Sequence, residues 1–124
     1  MAIDTHGIVS LFHIIFVAPL LLVIGFMRAG LPEWSYWGIL MLGLFIMVYH
    51  GYKMIIRYLY KSESVWVNAI HVFTVAPLLI YIGYKKRETL RFAYELMIMI
   101  GFAALGYHTI SLIRSIETLE AHSK

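Results

Sequence analysis

The chain contains no cysteine. No disulfide framework, thiolate metal site or thiol nucleophile can be built from it, and cysteine usage says nothing about a redox compartment. Charge is scarce too: Asp, Glu, Lys and Arg make up 14% of the 124 residues, and only seven are acidic. No Ser/His/Asp constellation, phosphate loop or pair of carboxylates can be assembled from so few polar groups, so a hydrolase or nucleotide-dependent enzyme is not expected. The formal net charge is +3, and the basic residues stand at the ends of apolar runs. There they suit phospholipid headgroups, which makes the lipid bilayer the expected partner and nucleic acid not one.

What the chain has in abundance is apolar surface: 61% of residues are hydrophobic and the mean hydropathy is +0.80. The remaining side chains are too few to cover a water-facing exterior, so an integral membrane protein is expected. Four runs, at about 8–28, 33–56, 65–84 and 91–113, each offer the roughly 20 helical residues that cross a hydrocarbon core about 30 Å thick. The first run follows Asp4 with no Lys or Arg before it and no small-residue cleavage site ahead of Arg28, so it reads as a retained span, not a signal peptide. Asp4 or Thr5 is its expected N-cap. Trp34, Tyr36 and Trp37 at the start of the second run, and Trp66 at the start of the third, are expected at the membrane interface. The fourth helix should run beyond the membrane to Glu117 or Glu120, and His6 and His122 should be exposed.

The chain also repeats itself. His13 to Gly25, HIIFVAPLLLVIG, returns at His71 to Gly83 as HVFTVAPLLIYIG, 58 residues later and without a gap. Keeping that offset from Val9 to Ile55 gives 15 identities in 47 positions, among them Tyr36 with Tyr94, Gly43 with Gly101, Tyr49 with Tyr107 and His50 with His108. Chance agreement between apolar segments of this composition would be roughly a tenth to a sixth, so the repeat reads as a duplication. The expected fold is therefore an all-α membrane protein of four transmembrane helices, built as two tandem-duplicated helical hairpins, 1–61 and 62–124, related by a pseudo-two-fold axis along the membrane normal. Short loops make one four-helix bundle the economical packing. Pro19 and Pro77 each remove a mid-membrane backbone hydrogen bond and are expected to kink their helices. Basic residues divide evenly between the two sides, so charge does not orient the chain.

Placed on this topology, the repeated residues converge. His13, His50, His71 and His108 fall at one depth near one membrane face. The spacing of seven in Tyr36, Gly43, His50 and in Tyr94, Gly101, His108 puts each trio on one seam, with the glycines allowing close approach. In the odd helices Val9, His13, Val17, Leu20 and Ile24 form the matching stripe, and all five recur unchanged 58 residues later. Three readings fit these histidines. They fix packing, each ring bonding a carbonyl, a tyrosine such as Tyr49 or Tyr107, or another histidine. They ligate, four imidazoles holding a divalent metal ion or two holding the iron of haem b. Or they carry protons or ions, although the apolar seam beyond Gly43 would break a conducting file.

The stretch FHIIFVAPLLLVIGF followed by LPEWSYWGILMLGLFIMVYHGYK resembles small uncharacterised membrane proteins of the nucleocytoplasmic large DNA viruses, the giant viruses of algae and protists. The resemblance covers about residues 9–55 and 67–113, and rests on an aromatic-His, an A-P-L-L followed by Gly, a Trp/Tyr, a Gly and a terminal Tyr-His. It implies a structural component of a viral membrane or virion, in the virion's internal membrane or a host-cell membrane, with other viral membrane and capsid proteins as partners; a homo-oligomer is expected separately, because so small a bundle exposes nearly all its outer surface to lipid or neighbours. The resemblance implies no ligand, activity or functional residue.

Overall fold

Asp4 opens the first helix in the expected way, its carboxylate accepting the Gly7 N–H at 2.8 Å and satisfying one of the orphan donors of the first turn. From there the structure, a computed structural model that describes residues 3–124, is helical almost throughout. We number the long helices α1 (Thr5–Gly30), α2 (Glu33–Leu59), α3 (Val65–Glu88) and α4 (Arg91–Ser123). All four are long and apolar enough to cross a membrane. They outrun the apolar segments read from sequence, and α4 continues to Ser123. No strand occurs among the described residues. Large apolar side chains such as Phe16, Phe45, Val48 and Phe73 are more than half exposed, an exterior suited to lipid and not to water.

The prolines act one turn upstream of themselves. Pro19 has no N–H to give, and the preceding segment His13–Val17 is π-helical, with the Ala18 N–H reaching back five residues to the His13 carbonyl. At Pro77 the same device recurs: His71–Val75 is π-helical and the Ala76 N–H bonds to the His71 carbonyl. The hydrogen bonds expected to be lost at Pro19 and Pro77 are thus absorbed in wide turns that begin at the two histidines.

A wide turn holds one residue more than a regular one, so it shifts the buried face. In α1 the buried positions are Gly7 and Ser10 before the turn and Ala18, Leu21, Ile24 and Gly25 after it. Ser10 to Ala18 is a step of eight where two regular turns take about seven. In α3 both Val75 and Ala76 are buried after Asn68, at steps of seven and eight. This corrects the stripe expected on α1, where Ile24 is buried but Val9 and Leu20 are 45% and 43% exposed; on α3 Val75 and Ile82 are buried and Val67, His71 and Leu78 are half-buried. A period of 3.6 carried unbroken through the proline is what displaced the stripe on α1.

Packing divides the described residues into two compact units, one made of the chain up to Phe26 with Glu95–Lys124, the other of Met27–Tyr94. In the second unit α2 lies against α3, with Tyr36, Ile39 and Gly43 of α2 and Val75, Ala76, Leu79, Ile82 and Gly83 of α3 buried. Glycine sets that spacing. A β-carbon on Gly83 would stand 2.6 Å from the Leu40 nitrogen, and one on Gly43 2.9 Å from the Ile80 nitrogen, so backbone meets backbone at both places. In the first unit α1 packs on α4, where a β-carbon on Gly101 would meet the Leu22 side chain at 2.8 Å. Phe26 and Phe102 close the same interface edge to face at 6.4 Å.

Candidate functional site: two histidine pairs

Each unit brings two of the four expected histidines into contact. In the unit of α2 and α3, the rings of His50 and His71 stack with centroids 4.0 Å apart and planes 14° from parallel. In the unit of α1 and α4, His13 and His108 stack at 4.2 Å and 20°. The partners are therefore distant in sequence, 21 residues apart in one case and 95 in the other.

Local bonds fix the rings. His71 donates its Nδ1–H to the Val67 carbonyl at 2.7 Å, and His13 does the same to the Val9 carbonyl at 2.8 Å. A carbonyl can only accept, so in both rings Nδ1 carries the proton that it donates. His50 turns Nδ1 to the Oδ1 of Asn68 at 2.9 Å, another acceptor. Asn68 is 3% exposed. It is the only asparagine in the sequence and stands three residues before His71. That lone amide inside an apolar run was the available signal for it, since buried polar groups in membrane helices are kept for contacts.

The tyrosines flank the pairs from outside. Tyr49 stands edge-on to His50 at 5.1 Å and 90°, and Tyr107 edge-on to His108 at 5.1 Å and 85°. Both are more than two-fifths exposed. The seam on α2 runs as expected through buried Tyr36 and Gly43 to half-buried His50. On α4 Tyr94, Gly101 and His108 are all buried, and the same spacing of seven reaches buried Ser115. Sequence reasoning passed over Ser115, whose hydroxyl donates to Asp4 Oδ1 at 2.5 Å. That bond, with a smaller effect from the Gly7 N–H, holds the Asp4 carboxyl below the usual carboxylate range. His6 and His122 are exposed, as expected.

This arrangement suits some chemistry and not other. Two imidazoles in face-to-face contact leave no room for a porphyrin between them, so neither pair fits the two axial ligands of one haem, which must approach the iron from opposite sides. Among the described residues no three or more His, Cys, Asp or Glu side chains form a group that could hold a metal ion. What the pairs supply is a polar, directional contact between helices, alongside the Glu33–Lys86 ion pair in one unit and the Asp4–Ser115 hydrogen bond in the other. Comparison with protein families, characterised proteins and solved structures finds no match to this chain.

Proposed function

We propose that the protein is a non-enzymatic integral membrane protein whose two histidine pairs lock helix to helix, and that it serves as a structural component of a viral membrane or virion. The observation that carries the packing role is the stacking itself: each ring spends its face on its partner, and His13, His50 and His71 also turn Nδ1 to a carbonyl or amide oxygen. The viral setting is supported only by the resemblance of the aromatic-His, A-P-L-L and Tyr-His segments. In the same reading the chain is a tandem duplication with a pseudo-two-fold axis along the membrane normal. In its favour, the 58-residue offset carries His13 onto His71 and His50 onto His108, so exchanging the copies turns one pair into the other.

The competing reading is a haem- or metal-binding protein with His13, His50, His71 and His108 as ligands. It draws on the Nδ1 bonds of His13 and His71, since a ligating histidine is commonly oriented by giving its other ring proton to a carbonyl. One purification separates the two. The structural reading expects protein that is colourless in the Soret region and free of stoichiometric metal, and that loses thermal stability in His71→Ala. A Soret band or one metal per chain, lost in His50→Ala and His108→Ala with the fold intact, would replace it with the ligand reading. A proton-conducting bundle would instead give pH-driven flux in liposomes that His13→Phe removes.

A further inference from the structure

We infer that the two 3₁₀ turns at one end of the Met27–Tyr94 unit form a binding site for the phosphate of an anionic phospholipid, an inference that rests on the membrane reading above. The turns Arg28–Gly30 and Lys86–Glu88 lie against one another. Each opens with a cation in the left-handed region, Arg28 at φ 52° and Lys86 at φ 54°. Glycine takes that conformation without strain, and here both places hold long basic side chains instead.

Charge at this end is unbalanced. Glu33 is shared between two cations, Lys86 at 3.2 Å and Arg87 at 3.6 Å. Neighbouring Lys85 is exposed and has no carboxylate partner among the described residues. Glu33, Tyr84, Lys85, Lys86, Arg87 and Glu88 line a cleft of about 340 Å³. A further anion in that cleft would meet three cations, Lys85, Lys86 and Arg87, set against the two carboxylates of Glu33 and Glu88, and the guanidinium fork matches phosphate oxygens as well as it does a carboxylate.

The aromatic residues set the height of the site. Trp34, Trp37 and Tyr84 are 77%, 61% and 74% exposed, and rings with one wet and one greasy edge collect at headgroup level. The Lys86 ammonium stands over the Trp37 ring at 5.4 Å. The cations are thus held where lipid phosphates lie, and the ligand is the phosphodiester of a lipid carrying net negative charge.

Tryptophan quenching by brominated lipids tests this on the full chain, in a Trp66→Phe background so that the signal comes from Trp34 and Trp37. Brominated phosphatidylglycerol should displace brominated phosphatidylcholine from the site in unsubstituted turns. Lys85→Ser with Arg87→Ser should lower that preference by about fivefold for each cation removed. Glu33→Gln should raise it, because the competing carboxylate is gone. Helix content by circular dichroism should stay the same in both variants. Equal quenching by the two lipids in the starting protein, or a Glu33→Gln variant with unchanged or weaker preference, overturns the site. So does displacement of the phosphatidylglycerol by an equal charge concentration of inorganic phosphate, which would assign the turns to a free anion. Quenching by neither lipid would defeat the membrane reading itself.

Discussion

His71 illustrates how much one side chain can carry here. Its Nδ1 is tied to Val67, its ring lies on His50, and its carbonyl accepts the wide bond from Ala76. If the stacked rings hold α2 to α3, His50→Ala and His71→Ala are not independent. A double-mutant cycle in mild detergent should return a coupling of about 0.5–1.5 kcal/mol, the range for paired rings; additive losses would mean the contact is incidental. Asp4 offers a second measurement at the same scale. Its folded pKa lies below the ordinary aspartate value of 3.8 because Ser115 and Gly7 bond the ionised form. The stabilisation is therefore fully present above pH 3.8, and is lost as the pH falls below 3.8 towards the folded value. Acid melting curves of Asp4→Asn should lack that loss, and identical acid dependence in the two proteins would refute the assignment.

At the scale of the helix, the glycines and the π-helical turns decide which faces meet. Gly83 and Gly43 oppose main-chain atoms, which cannot swing aside, whereas Gly101 opposes the flexible end of Leu22. Alanine at 83 or 43 should destabilise by about 1–3 kcal/mol, the range for overpacking a close contact, and alanine at 101 by less. Gly38, Gly51 and Gly106 face open space inside helices, so alanine there should cost nothing and, by helix propensity, raise stability by up to about 1 kcal/mol. Steric-trap or denaturant unfolding in micelles would rank them, and a Gly101→Ala loss larger than that of Gly83→Ala would contradict the packing. The heptad seam on α2 was legible because nothing interrupts its period. On α1 the expected stripe was not, because the proline's missing N–H is absorbed by a π-helical turn that inserts one residue into the count.

At the scale of the molecule, the named contacts between helices cross the middle of the chain. His50–His71, Gly43–Ile80, Gly83–Leu40 and Glu33–Lys86 do so in one unit, and His13–His108, Asp4–Ser115, Gly101–Leu22 and Phe26–Phe102 in the other. Each joins a residue before 62 to one after it. The bond between 61 and 62 is then dispensable in a way the contacts are not. Residues 1–61 and 62–124 expressed as separate chains should co-purify as a one-to-one complex, and either alone should be degraded or aggregate. Two fragments that stay apart in lipid would show that the covalent hairpin is the folding unit.

The sequence alone determined that four helices are long and apolar enough to span a membrane, where they begin, and which histidines, tyrosines and glycines recur. Those properties are local: apolar length, capping groups and identities at a fixed offset need no knowledge of neighbours. Only the tertiary structure decided who faces whom, pairing His13 with His108 and His50 with His71 and adding Asn68 and Ser115. The physical reason is that lipid is as apolar as leucine. A membrane helix can be hydrophobic on every side, so its buried face is marked less by hydropathy than by a few glycines and polar groups. Where that face points after a proline depends on how the backbone redistributes one lost hydrogen bond.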